Sequence, residues 1–169
     1  MGKNISRAST ERKPPDSAQQ TLDVKWMGYA LEFAMEAYSR EEVPIGAVLI
    51  RDEQIIGQGY NQSIYAGDPT AHAEILAIRS ASKKIGNHRL PNTTLYVTVE
   101  PCMMCLGAMV HARIKRLVFG SQEPKAGAVK SHSLIESDFL NHQMDWSCGI
   151  LEQECSRLMQ DFFLDRRKL

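Results

Sequence analysis

No stretch of this sequence approaches the roughly 18 consecutive apolar residues that cross a bilayer, so the chain reads as a soluble protein. The first 21 residues lack the apolar core of an export signal, and cytoplasmic residence is the expectation. Their basic, Ser-containing character resembles an organelle presequence, but Glu11, Asp16 and Pro14-Pro15 argue against one. Excess charge is also missing: 20 Lys and Arg offset 20 Asp and Glu, so bulk charge selects no class of partner. Cysteine is scarce. With four in the chain and no export signal, a disulfide framework is not expected, and a closely spaced pair reads as metal ligands or a redox couple.

One absence is local. Between Ile75 and Gln122 the only acid is Glu100, while the same span carries Arg79, Lys83, Lys84, Arg89, Arg113, Lys115 and Arg116. A basic surface of this kind favours a phosphate-bearing substrate; solvated helix faces and strand ends are the plainer reading. Arg166, Arg167 and Lys168 at the end of the chain are further candidates for phosphate contacts, with Phe162 or Phe163 assigned to the core rather than to base stacking.

What is present is a 169-residue chain with 43% hydrophobic residues, enough for one domain with a sizeable core. Residues 1–21 are polar and aperiodic and read as a mobile tail ahead of a single domain over 22–169. Met27, Ala30, Leu31, Ala34, Met35 and Tyr38 recur at helical spacing from about Asp23 to Arg40. Ile45–Ile50 and Ile55–Tyr60 read as a strand hairpin, followed by a loop over Asn61–Gly67. Asp68-Pro69-Thr70 predicts a helix start, with the helix running to about Lys84 and stopped by Gly86-Asn87. Leu95–Val99 is a strand broken by Pro101, and a helix follows over Met103–His111. Lys115–Gly120 predicts another strand and Ser121–His132 a loop. A short helix over Ser133–Leu140, an edge strand over His142–Trp146 and a final helix over Gly149–Arg167 complete the chain. Strands alternating with helices imply a layered α/β fold, and the opening hairpin makes its sheet, of about five strands, mixed.

Two short stretches carry the chemistry. His72 and Glu74 stand at one predicted helix start; Cys102 and Cys105 stand at another, at positions i and i+3 that share a face. One imidazole and two thiols suit a zinc ion, one per chain, that keeps its fourth position open for water. Glu74, two residues after the histidine, is the proton carrier such a site needs, provided it is not itself a ligand. Helix starts offer unpaired N–H groups and a dipole that stabilises thiolates. Cys148 and Cys155 lack metal spacing and read as small buried apolar residues. A lone C-x-x-C is weak evidence, and an isolated first-turn acid is ordinarily just that. The conjunction H-x-E … P-C-x-x-C is the signature of zinc deaminases acting on nucleobases.

The stretch from about Val43 to Glu123 resembles bacterial tRNA-specific adenosine deaminases. The resemblance rests on Val43-Pro44-Ile45-Gly46-Ala47-Val48, Asp68-Pro69-Thr70-Ala71-His72-Ala73-Glu74, Thr94 through Cys105, Gly107-Ala108-Met109 and Val118-Phe119-Gly120, and it extends to Asp161-Phe162-Phe163. It implies a three-layer α/β/α fold of the cytidine-deaminase kind, a homodimer, and hydrolysis of adenosine to inosine at the wobble position of a tRNA anticodon, with no organic cofactor. It also implies that His72, Cys102 and Cys105 hold zinc and that Glu74 shuttles protons during attack at the adenine C6. Asn61 and the backbone at Ala73 would hold the flipped base, and Glu123, where the family usually has aspartate, would flank the nucleotide. Two alternatives stay open: a deaminase of free guanine or cytosine, and a non-catalytic zinc-binding subunit, which the presence of Glu74 disfavours.

Overall fold

The computed structural model describes residues 16–168, so most of the expected tail lies outside the described residues. Its last residues do not behave as a tail: helix α1 spans Ser17–Ser39, well ahead of the expected start at Asp23. The reason is Asp16, whose carboxylate accepts from the Gln19 N–H at 2.8 Å and supplies the cap.

Five strands follow as one sheet in the order β2-β1-β3-β4-β5. Strands β1 (Gly46–Arg51) and β2 (Gln54–Tyr60) form the expected antiparallel hairpin. Strand β3 (Thr94–Val99) runs antiparallel to β1 and parallel to β4 (Arg116–Ser121), which is parallel to β5 (Asp145–Cys148). The sheet is therefore mixed, as expected. Between the strands lie a one-turn helix α2 (Ser63–Ala66), then α3 (Ala73–Ile85), α4 (Met103–Ala112) and the C-terminal α5 (Glu152–Arg166).

Strand alternation divides the core. Ala47, Leu49, Leu95, Val97, Leu117 and Phe119 face α3 and α4, whereas Val48, Ile50, Tyr96 and Val118 face α1 and Cys155 of α5. The result is three layers, α/β/α. On α1 the buried stripe is Asp23, Trp26, Met27, Ala30, Ala34 and Ala37, while Met35 is 53% exposed and not part of it. Helix α3 lies unusually close to the sheet. A Cβ added at Gly57 would stand 2.2 Å from the Ala77 carbonyl oxygen, and one at Gly59 would stand 2.6 Å from that of Ala73. Only glycine admits this approach, and it fixes where the first turn of α3 sits.

Several boundaries differ from expectation. Asp68 does not cap a helix; its carboxylate accepts from the Thr70 N–H and hydroxyl at 2.8 and 2.7 Å, which closes a local turn and delays α3 to Ala73. The expected loop over 61–67 contains α2. The expected helix over 133–140 is only a 3-10 turn, Leu134–Glu136. Strand β5 begins later than expected, at Asp145, whose N–H donates to the Lys115 carbonyl at 3.0 Å. No helix among the described residues is long and apolar enough to cross a membrane.

Asp23 is the polar centre of the α1 layer. It is fully buried and accepts from both terminal nitrogens of Arg116 at 2.7 Å, from the Tyr96 hydroxyl at 2.8 Å and from the Gln19 amide at 2.9 Å. Removing one partner of a buried pair leaves the other charge uncompensated. Asp23→Ala is expected to lower stability by about 3–5 kcal/mol in urea unfolding, with Asp23→Asn losing less.

Candidate active site

The site forms where β2 and β3 end and β1 begins, at one edge of the sheet. Gly46 pairs with Tyr60 and Ala47 with Val97, so Asn61 and Glu100 leave the sheet side by side with the start of β1. Helices α3 and α4 both start at this edge. His72 occupies the cap position of α3 and Cys102 that of α4, and neither side chain makes a capping bond. Both are thereby free to point at each other. The His72 Nδ1 lies 3.7 Å from Cys102 Sγ and 3.6 Å from Cys105 Sγ, and all three donor atoms lie within 4.8 Å of one another. Among the described residues this is the one group of His, Cys, Asp or Glu donors arranged to hold a metal ion. Cys105 is buried, while His72 and Cys102 are half-buried and open to one side.

The charges in this cluster strain against one another. Hydrogen bonding from Cys105 and then from His72 holds the Cys102 thiol down to about 3, against its burial. Cys105, bonded to Cys102 and buried next to Glu74, is pushed up and keeps its proton. The hydrogen bond to Cys102 raises His72. A divalent cation at the centre would relieve the repulsion and let both sulfurs bind as thiolates.

Glu74 sits one residue into α3. It is buried, and its Oε2 has no hydrogen-bond partner. Burial pushes its carboxyl up to about 7, against the opposing pull of its own backbone N–H and the His72 charge. An acid poised near neutrality, beside three metal-type donors and not counted among them, has the properties of a proton carrier.

The other expected residues surround this centre. Asn61 is buried, and its Oδ1 accepts from the Ala73 N–H at 2.8 Å, so the two are each other's partners and fasten the end of β2 to the start of α3. The Ala73 N–H is therefore already engaged. Glu123 stands in the loop after β4. Its N–H donates to Glu100 Oε2 at 3.0 Å, and its own carboxylate accepts from the Lys125 N–H at 3.1 Å. That loop returns to the metal-type cluster, because Gly127 bridges to Cys102 and the Ala128 N–H donates to the Pro101 carbonyl at 2.8 Å.

Two buried acids were not anticipated as site elements. Glu42 accepts from the N–H groups of Ile64 and Tyr65 at 3.2 and 2.6 Å and so caps α2, next to Asn61. Glu100 is 3% exposed; burial pushes it up, but the hydrogen bonds from Ser131, Glu123 and Lys130 outweigh this and hold it below the usual carboxylate range. The available signal was its isolation: a single acid in a long stretch without another.

The basic span is only partly available. Arg116 is engaged by Asp23, and Arg113 donates to Asn141. Lys83 and Lys84 lie in the last turn of α3, roughly 15–18 Å along the axis from His72, and so not at the mouth. Arg166 covers the Phe162 ring at 4.9 Å; Phe162 is buried, as expected, and Phe163 is 44% exposed. Cys155 is buried, as expected, whereas Cys148 is half-buried.

A family profile described as MafB19-like deaminase matches residues 22–167. A tRNA-specific adenosine deaminase of Haemophilus influenzae is 51% identical over 149 residues, covering 87% of this chain and 86% of the relative. The chain belongs to the tRNA-specific adenosine deaminases. A relative of the same name from Bacillus subtilis is 41% identical, covering 88% of this deaminase and 92% of its own length. A solved structure from a study of A-to-I editing by tRNA:A34 deaminases at the wobble position of transfer RNA superimposes with a TM-score of 0.78 and 44% identity, covering 79% of this deaminase and 98% of that chain. The cytidine-deaminase-like fold is thereby established. A guanine deaminase from Nitrosomonas europaea shares that fold at a TM-score of 0.67 but only 22% identity.

The position of Glu74 has a thermodynamic consequence in the metal-stripped deaminase. Its carboxyl is raised on folding from 4.5 to about 7. The folded state therefore holds the proton more tightly, and the associated stability is present below 4.5 and lost as pH rises through about 7. Glu74→Gln removes this dependence. The variant should unfold with about 3 kcal/mol more stability than the parent at pH 8, and the gap should close towards pH 4.5.

Proposed function

We propose that this deaminase hydrolyses adenosine to inosine at the wobble position of a tRNA anticodon. The observation that carries the reading is a buried, unpartnered carboxylate oxygen on Glu74 beside a converging imidazole and two thiols. The close relatives named for this reaction supply the substrate.

The donor set fits zinc. Tetrahedral ligands at ordinary Zn–N and Zn–S lengths place nitrogen and sulfur about 3.6 Å apart. The His72 Nδ1 to sulfur separations here are 3.7 and 3.6 Å. Three protein donors, His72, Cys102 and Cys105, leave one position for water. When bound there, zinc supplies Lewis acidity that makes water a nucleophile at neutral pH.

The remaining steps belong to the chain. Glu74 takes a proton from the attacking water and delivers it to the purine N1 as oxygen adds at C6. It then takes the remaining proton from the oxygen at C6 and passes it to the amino group as the C6–N bond breaks, so that adenosine and water yield inosine and ammonia. Burial disfavours the charged carboxylate, which favours its taking up a proton during the reaction. Asn61 holds the flipped base through its amide N–H₂, because its oxygen is engaged with Ala73. The share of Ala73 is to seat that amide and start the helix under the base. Glu123, one methylene longer than aspartate, flanks the nucleotide. An anticodon loop already presents splayed bases, which lowers the unstacking the enzyme must impose. The enzyme works as a homodimer in the cytoplasm.

Incubation with a synthetic anticodon stem-loop should yield inosine and ammonia, while free adenine, guanine and cytosine should not react. Turnover of a free base without the hairpin would contradict the reading. Glu74→Ala is expected to retain about one zinc per chain by elemental analysis and to lose about 10²–10⁴-fold in kcat. Cys102→Ser should lose the metal and the activity together.

A further inference from the structure

Glu100 lies directly before Pro101 and the ligand Cys102, yet it is used neither as a ligand nor as an acid. Its carboxylate accepts five hydrogen bonds, all from the loop after β4. Oε1 takes the N–H groups of Val129, Lys130 and Ser131 at 3.1, 2.7 and 2.8 Å. Oε2 takes the Glu123 N–H at 3.0 Å and the Ser131 hydroxyl at 2.6 Å. Gly127 lies against the same group; a Cβ there would stand 2.3 Å from the Glu100 carboxyl carbon, so the loop backbone wraps the acid closely. Donors 23 and 31 positions down the chain thus converge on one side chain. A buried acid fully engaged by N–H and O–H donors is a rigid anchor, because each donor left unpaired would carry a desolvation penalty.

The geometry points to Glu100 as a positioning residue for specificity: it pins the Glu123 backbone beside the zinc ligand and so sets which nucleotides next to the target adenosine are accepted. This rests on the reading above, in which Glu123 flanks the nucleotide. The two oxygens do different work. Oε1 closes the 129–131 turn, and Oε2 holds Glu123. Glutamine at this position keeps one oxygen, which suits the three N–H groups at Oε1, and turns its N–H₂ on the Glu123 N–H. The substitution therefore releases Glu123 while leaving the metal ligands in place.

The test measures Glu100→Gln in the full-length zinc-loaded enzyme with synthetic hairpins that vary only at the nucleotides beside the target. Zinc should stay near one per chain. KM for the preferred hairpin should rise about tenfold or more while kcat falls by less than about threefold, and the preference among hairpins should fall towards one. Combining it with Glu123→Ala should add nothing further to KM, since Glu100 acts on the nucleotide only by placing the Glu123 side chain. Hydrogen exchange should show the Glu123 amide losing protection. An unchanged preference, or a kcat loss that tracks zinc loss with KM constant, would overturn the assignment. If Glu100→Gln does not fold, Ser131→Ala removes one bond from Oε2, and a smaller drop in preference supports the inference while no drop refutes it. An enzyme that makes no inosine in any hairpin refutes the proposed function instead, and the exchange of the Glu123 amide still decides whether Glu100 anchors the loop.

Discussion

A buried carboxylate with one oxygen left without a hydrogen-bond partner is the constraint on which the site depends. Glu74 is placed there by the close contact of α3 with the sheet, which Gly57 and Gly59 alone permit. Burial raises its carboxyl to about 7, and the acid stands beside, and outside, the group of thiols and imidazole at metal-binding separation. A more distant helix would admit water and return Glu74 to the ordinary carboxylate range. A donor beside Oε2 would tie the acid down. Either change would favour the charged carboxylate and lower the carboxyl.

Around this centre, other buried acids serve architecture. Asp23 ties α1 to β3 and β4, Glu42 caps the turn beside Asn61, and Glu100 gathers the loop that carries Glu123. Each has both oxygens engaged by donors, whereas Glu74 has an oxygen without one. A carboxylate therefore does opposite work depending on whether its lone pairs are filled. A filled acid anchors loops and helices; the unfilled one keeps an oxygen open to a further partner.

The metal-type cluster was legible in the sequence because each half is local. His72 and Glu74 are two residues apart, Cys102 and Cys105 three, and helix starts constrain where such side chains point. The hairpin and the alternation of helices and strands were legible for the same reason. The rest was hidden by distance along the chain. Asp23 looks like a misplaced polar residue until Tyr96 and Arg116, 73 and 93 positions away, complete it. Glu100 stood out only as a solitary acid, since its donors lie 23 to 31 residues later. Local competition hid other boundaries: Asp68 turned back on Thr70 instead of capping α3, and Asp16 capped α1 from within an otherwise polar segment. A count of charges along the basic span likewise does not show that Arg116 is committed to the core.

Zinc-edge X-ray absorption on the parent enzyme and on Glu74→Gln tests the central claim most directly. The account predicts two sulfurs at about 2.3 Å and two lighter atoms at about 2.0–2.1 Å in both proteins, from His72, Cys102, Cys105 and one exchangeable water. A third sulfur, or a light-atom ligand that disappears when Glu74 is changed, would mean that the fourth position is filled by the protein and would contradict the account.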